Sequence, residues 1–225
     1  MTMRAQTSGC HRYGQAEISV EWSGDNYLKP TLDWILAWIE TEVADGRRFL
    51  PEQTVEIGWS LLQIRQRNDG TFALFEPDFK SMPIIFVDSV TNTLFHLLIQ
   101  KSVVDSVGLT EEIALPSLRQ SCLVCTEFGG STGYVLDRAK GSDKLDSGWF
   151  FGCYRPEHDH NNAANLRRVS LYEAASLKDE RVVPFIGLPV GVMVHFDGAR
   201  LSLFRDGKKL AIQRGSYLQQ KYAAA

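Results

Sequence analysis

Aspartate-glycine pairs beside β-forming segments are the feature that most constrains how this chain can fold. The pairs are Asp69-Gly70, Asp197-Gly198 and Asp206-Gly207, and aliphatic and aromatic residues are frequent around them. Because such a pair supplies the positive φ angles that a tight turn requires, we predict β-hairpins over residues 54–75 and 192–205. Both halves of the chain therefore contain antiparallel strands.

Helical periodicity accompanies these strand patterns. Apolar residues spaced for one face of a helix follow Pro30, at Leu32, Ile35, Leu36, Ile39 and Val43. A second such pattern runs over residues 90–104 and is stopped by Gly108. We predict an α+β fold of two packed halves, each with antiparallel β-hairpins and one or two helices.

The polar segment 110–117 marks the predicted domain boundary. It follows a glycine helix stop and precedes a new strand pattern. We therefore predict an N-terminal α+β domain at residues 1–110, a second α+β domain at 118–212 and a C-terminal tail at 213–225. The three alanines at its end are expected to fray.

Composition excludes several classes of function. The net charge is −3 with a pI near 6.0, and the basic residues are scattered, so we expect no nucleic-acid partner. The sequence has no apolar run of membrane-spanning length, and residues 1–12 do not resemble a signal peptide. We expect a cytoplasmic protein with no membrane partner. The oligomeric state stays open.

Four cysteines are too few for a disulfide scaffold, so we expect reduced thiols. The pair Cys122-x-x-Cys125 has the spacing of a metal or redox motif. On a strand, however, residues three apart point to opposite faces, and no second cysteine pair completes a zinc site. We predict buried core thiols, no cofactor and no bound metal.

Histidines in one polar loop raise the metal question again. His158, Asp159 and His160 lie within three residues, and all three side chains can ligate metals. A solvated polar loop is the favoured interpretation. The alternative is a metal-dependent hydrolase or a metal-sensing module that uses Asp146 with His158 and His160.

Other candidate motifs are weaker. The glycine-rich segment 129–133 lacks the lysine and the helix of a phosphate-binding loop, so we predict a hairpin loop. The remaining histidines, His11, His96 and His195, lie outside recognisable catalytic motifs, and we predict no catalytic site. For Trp34 and Trp38, we predict packing against the hairpin that contains Trp59. The alternatives are that they line the interface between the two halves or form an exposed aromatic patch for a partner.

Six segments of the second half are shared with a known family, namely Cys122-Leu123-Val124, Gly133-Tyr134-Val135, Asp146-Ser147-Gly148-Trp149-Phe150-Phe151-Gly152, Val169-Ser170-Leu171-Tyr172-Glu173, Pro184-Phe185-Ile186 and Leu188-Pro189-Val190-Gly191. Through these segments the second half resembles the immunity protein 33 family over roughly 90 residues. The likeness does not extend to residues 1–109.

The resemblance implies a non-catalytic cytoplasmic bacterial protein that binds and neutralises a cognate polymorphic toxin by occlusion. Family members commonly carry an acidic run after the Ser-Gly-Trp strand. This chain instead has Pro156-Glu157-His158-Asp159-His160-Asn161-Asn162 there, so a different partner or binding mode is expected. A third possibility is a housekeeping adaptor or regulatory domain that shares only the fold.

The Asp146-Ser147-Gly148-Trp149 segment has two interpretations. As a structural corner, it would use Asp and Ser for backbone hydrogen bonds, Gly for a tight bend and Trp for burial. As a partner site, it would expose Trp149 as an interface anchor. The predicted partner-binding residues are these four together with Glu157, His158, Asp159 and His160.

Overall fold

The computed structural model of the protein describes residues 2–24 and 26–222. Helices are combined with mixed β-sheets, which confirms the predicted α+β class. The chain divides into two compact units, Met1–Leu98 and Ile99–Ala225. The division falls within a helix, ahead of the polar segment 110–117.

The first unit contains β1 (Thr2–Gln6), β2 (Ile18–Ser23), α1 (Lys29–Ala44), β3 (Thr54–Ile57), β4 (Ser60–Gln66), β5 (Phe72–Pro77), β6 (Phe86–Val87) and the start of α2 (Thr91–Ser106). Its sheet has the strand order β1-β2-β5-β4-β3, with β6 also paired to β5. Strands β4 and β5 pair in antiparallel fashion across the Asp69-Gly70 turn, where Gly70 has a φ of 83°. The first predicted hairpin is confirmed.

Both predicted long helices are present. Helix α1 buries the predicted face through Leu32, Ile35, Ile39 and Val43. At the start of α2, the backbone N–H of Thr91 donates to the Ser89 hydroxyl over 3.0 Å, which satisfies one of the free N–H groups at a helix start. Gly108 follows the helix end with a φ of 73°.

The tryptophans of α1 and Trp59 differ in their ring contacts and exposure. Trp38 lies edge-on to Phe49 with 6.4 Å between ring centroids. Trp59 is buried and stacks on Phe79 at 5.7 Å. Trp34 is 54% exposed. Periodicity placed Trp34 and Trp38 on the helix correctly, but it could not identify which ring each would meet.

The second unit contains β7 (Ser121–Cys125), β8 (Tyr134–Arg138), β9 (Asp146–Cys153), β10 (Leu166–Ser170), a π-helix (Glu173–Lys178), β11 (Val192–Phe196), β12 (Leu201–Arg205), β13 (Lys208–Lys209) and α3 (Tyr217–Tyr222). Its sheet has the order β10-β7-β9-β8-β11-β12-β13. Strands β11 and β12 form the predicted second hairpin across Asp197-Gly198. The N–H of Glu173 donates to the Ser170 hydroxyl at the start of the short helical segment.

Strand β9 lies between β7 and β8 and changes the role of the glycine-rich segment. It pairs parallel to β7 and antiparallel to β8, so the chain from β7 to β8 passes across the position that β9 fills. The prediction of a hairpin loop at residues 129–133 is therefore wrong, because consecutive strand patterns need not be sheet neighbours.

Helix α3 packs within the second unit. Leu218 of α3 is buried, and its N–H donates to the Ser106 hydroxyl over 3.2 Å. The expectation that residues 223–225 fray lies outside the described residues. Within the part of the chain that the structure describes, no helix combines the length and apolarity needed to cross a membrane.

Candidate functional site

The start of β9 forms a closed hydrogen-bonded corner at Asp146, Ser147, Gly148 and Trp149. The Asp146 carboxylate accepts the backbone N–H groups of Ser142 and Gly148, each at 3.0 Å. These donors, with the Ser142 hydroxyl and Arg168, hold the pKa of Asp146 below its ordinary value. The Ser147 hydroxyl donates to the carbonyl of Ser121 over 2.8 Å. Each polar group of the corner thus has a partner within the chain.

Gly148 is the residue that the bend requires. Its φ is 75°, and a Cβ placed on it would overlap the carbonyl oxygen of Ala139. Residues other than glycine rarely adopt this backbone conformation. Glycine is therefore fixed here by both backbone angle and space.

Trp149 belongs to the core. It is 1% exposed, stacks on Phe151 and donates its indole N–H to the carbonyl of Ile186 over 3.3 Å. The Arg138 guanidinium lies 5.5 Å from its ring centroid. The corner interpretation describes this tryptophan, because a buried indole presents no surface to a partner.

The opposite end of β9 assembles the Cys2His2 cluster, which consists of Cys125, Cys153, His158 and His160. One potential ligand atom from each residue lies within 4.8 Å of the other three. Sγ of Cys153 is 3.6 Å from Nε2 of His160, and the backbone N–H of Cys153 donates to Sγ of Cys125 over 3.2 Å. The two cysteines are buried, and the two histidines are half-buried.

Parallel pairing is what brings the two cysteines together. Val124 of β7 is in register with Phe151 of β9, so Cys125 and Cys153 end adjacent strands at the same edge of the sheet. The loop of residues 154–165 then returns His158 and His160 to that edge. Its turn is fixed by Asp159, whose carboxylate accepts the N–H of Asn161 at 2.8 Å and whose carbonyl accepts the Asn165 amide at 2.9 Å.

Two groups of the cluster, Cys153 and His160, have pKa values shifted towards their neutral forms. Burial, with a contribution from Cys125, raises the pKa of the Cys153 thiol to about 11. Burial and the neighbouring His158 lower the pKa of His160, against the opposing effect of Asp159. Neutral imidazoles are the form that ligates metals, whereas the thiols would have to lose protons on binding.

The cluster differs from both metal sites considered from the sequence. Cys122 is buried but is not one of the four residues, and Asp146 is also outside the group. Asp146 begins β9 while Cys153 ends it, a separation of roughly 20 Å at the usual strand rise. The structure thus joins His158 and His160 to two cysteines and leaves Asp146 apart.

The missed signal was the spacing Cys153-x4-His158-x-His160. Neither the cysteine pair Cys122-x-x-Cys125 nor the histidine pair His158-x-His160 completes a tetrahedral site by itself. A combined cysteine and histidine search would have found three of the four residues, because they lie within eight positions. Cys125 becomes evident only from the strand pairing.

Other histidines occupy structural positions. Burial lowers the pKa of His96 in α2 to about 4, and its ring contacts Trp59 and Phe79. His195 of β11 lies in a surface pocket of about 330 Å³, with its Nε2 atom 3.0 Å from the Met193 sulfur. Neither histidine belongs to the Cys2His2 cluster.

Comparison of the chain with protein-family models, curated proteins and solved structures gives no match. The resemblance to the immunity protein 33 family therefore stays a prediction.

Proposed function

We propose that this chain is a non-catalytic, cytoplasmic immunity-type protein that neutralises a cognate toxin by covering it. Support comes from the resemblance in the second half, whose matching residues form the Asp146–Trp149 corner and the strands around it. Such a protein acts through surface complementarity, so its recognition residues must be exposed.

The observation that carries the proposal is the orientation of side chains in the 154–165 loop. His158 and His160 are half-buried against the end of β9. Glu157, which precedes His158, and Asp159, which lies between the two histidines, are exposed. The loop is thus anchored by alternate residues and presents its acids outward. An anchored loop with exposed polar residues suits recognition, because less conformational entropy is lost on binding.

The charge around the loop predicts the character of the partner surface. Arg155 precedes Glu157, and the adjoining edge strand β10 exposes Arg167 and Arg168. Positive and negative groups therefore alternate across this region. We expect a partner surface of mixed charge, in place of the uniformly basic surface that an acidic run would select.

A hydrolase that uses Asp146, His158 and His160 is less compatible with this geometry. A catalytic metal needs its ligands around one point and an open position for water or substrate. Asp146 lies at the other end of β9 from the histidines. We therefore assign these three residues no shared catalytic role.

The test pairs the purified chain with the product of an adjacent toxin gene. We expect co-expression to restore growth and the two proteins to form a complex. Glu157→Lys should weaken binding by about tenfold, equivalent to ~1.4 kcal/mol, because it reverses an exposed charge of the loop.

Glu180→Lys is the matched control, since Glu180 is an exposed acid of the same unit outside the loop. It should bind as the unmodified chain does. Absence of a complex and of growth rescue would overturn the proposal. Recovery of an unrelated host protein through the same loop would favour the adaptor alternative.

A further inference from the structure

The Cys2His2 cluster has the donor set and the spacing of a tetrahedral zinc site. With Zn–S distances of about 2.3 Å and Zn–N distances of about 2.0–2.1 Å, tetrahedral ligand atoms lie roughly 3.3–3.8 Å apart. The Cys153 Sγ to His160 Nε2 distance of 3.6 Å falls in that range, and the four potential ligand atoms lie within 4.8 Å of one another. Small side-chain movements would bring all four to a common centre.

An unpartnered histidine nitrogen is a second and independent observation. Nε2 of His158 is buried and has no hydrogen-bond partner among the described residues. The His158 and His160 rings are 5.1 Å apart between centroids, so this nitrogen belongs to the same neighbourhood. A buried polar atom without a partner costs free energy, and coordination of a cation would remove that cost.

We propose that Cys125, Cys153, His158 and His160 bind one Zn²⁺ ion and so hold the 154–165 loop on the end of β9. Thiolate and imidazole donors select zinc over magnesium or calcium, which prefer oxygen ligands. On binding, each thiol releases one proton to solvent and forms a sulfur–zinc bond. The two thiolates balance the charge of the ion, so the buried centre is neutral.

Groups around the cluster are placed to support the ligands. The Cys153 N–H bond to Cys125 Sγ stabilises negative charge on that sulfur. The His160 ring lies beside Gly152, where an added Cβ would come within 3.2 Å of it, and the ring meets Phe150 edge-on. Glycine at this position leaves the space that the ligating imidazole occupies.

Four protein ligands occupy all four coordination positions of a tetrahedral zinc ion. The site is therefore structural and leaves no position for a substrate. The inference does not rest on the proposed partner. Zinc binding can be measured on the isolated chain, and the two proposals can fail separately.

The experiment measures zinc in the full-length chain, purified under reducing conditions, loaded with Zn²⁺ and desalted. We expect one zinc ion per chain by elemental mass spectrometry. Cys153→Ser and the double variant His158→Gln/His160→Gln should lose the ion. Replacement of zinc by Co²⁺ should give the thiolate-to-cobalt absorption band in the unmodified chain, and this band should be lost in Cys153→Ser and in the double histidine variant.

Cys122→Ser is the matched control, because Cys122 is a buried cysteine outside the cluster, on the same strand as Cys125. It should keep both the zinc and the cobalt band. If Cys153→Ser fails to fold, the double histidine variant decides, since its changes lie in the half-buried loop. The proposal would be overturned by absence of zinc in the loaded chain, by zinc retained in the folded double histidine variant, or by a Cys125–Cys153 disulfide that persists under the reducing conditions of purification.

Discussion

The two ends of strand β9 differ in whether their buried polar groups have hydrogen-bond partners. At the Asp146–Trp149 corner, carboxylate, hydroxyl and indole groups are bonded to the chain itself. At the Cys153 end, a histidine nitrogen is buried without a partner in the described chain, beside two thiols. The polar groups of the corner are hydrogen-bonded within the chain, whereas the cluster contains ligand atoms that are still available to bind a metal ion.

The difference shows why a distinctive sequence segment need not be a functional one. The Asp-Ser-Gly-Trp segment is specific because each residue meets a geometric requirement of the bend. The cluster is less evident in the sequence, but its ligand types and its unpartnered nitrogen indicate chemistry. Unsatisfied buried groups are a better guide to binding than the rarity of a motif.

The largest expected effect tests the corner. Gly148→Ala should lower the free energy of unfolding by about 3 kcal/mol or more, because the methyl group overlaps the Ala139 carbonyl and the φ angle is left-handed. Urea unfolding measures the loss. At Gly130 the φ lies outside the left-handed range and an added Cβ would make only an ordinary contact of 3.7 Å with the Glu127 carbonyl oxygen, so Gly130→Ala should change stability by less than about 0.5 kcal/mol. Equal effects from the two changes would contradict the assigned role of Gly148.

The next effect tests the cluster. At a free zinc concentration of 100 times Kd, the ion would add about 2.7 kcal/mol to stability. Chelation by EDTA should therefore lower Tm by about 5–10 °C in a chain of this size. Differential scanning fluorimetry measures the shift.

Cys122→Ser should show the same shift on chelation as the unmodified chain, and Cys153→Ser should show none. A shift that persists in Cys153→Ser would place the chelator effect elsewhere in the molecule.

The smallest expected effect is the pH-dependent contribution of Asp146, in the corner, to the free energy of unfolding. Because the folded-state pKa of Asp146 is depressed, its stabilisation is present above the unfolded value of about 3.9 and is lost as pH falls through the lower folded value. Asp146→Asn should cost about 1 kcal/mol at pH 7, through weaker acceptance of the Ser142 and Gly148 N–H groups.

Urea unfolding at neutral pH and below pH ~4 checks this, because the difference from the unmodified chain should shrink in acid as Asp146 protonates. Glu157→Gln serves as the control, since Glu157 is exposed in the loop. A cost for Asp146→Asn that is unchanged in acid would exclude the ionised carboxylate as its source.

Structural features that depend only on residues close together in the chain could be predicted from the sequence. The Asp-Gly turns, the apolar face of α1 and the glycine stop at Gly108 follow from local geometry, and the structure contains each. The burial of Trp149 was one of two interpretations, because residue type alone does not decide between a core position and an interface.

The cluster depends instead on pairing between distant segments. Cys125 and Cys153 are 28 residues apart and meet because β7 and β9 are parallel neighbours. Hydrophobic pattern specifies a strand and its faces but not the partner strand. The glycine-rich segment was misassigned for the same reason.

The insertion of β9 between β7 and β8 also imposes an order on assembly. Strand β7 is synthesised before β9 and cannot pair with it until β9 is present. Strand β9 also pairs with β8, which is nearer to it along the chain. Nearby segments close faster than distant ones, so the β8–β9 ribbon should form before β7 docks on it. Of the two thiols in the Cys2His2 cluster, Cys125 should therefore be the later to reach its position. During refolding in zinc, we expect its protection from alkylation to appear with completion of the sheet, and protection at an earlier stage would contradict this order.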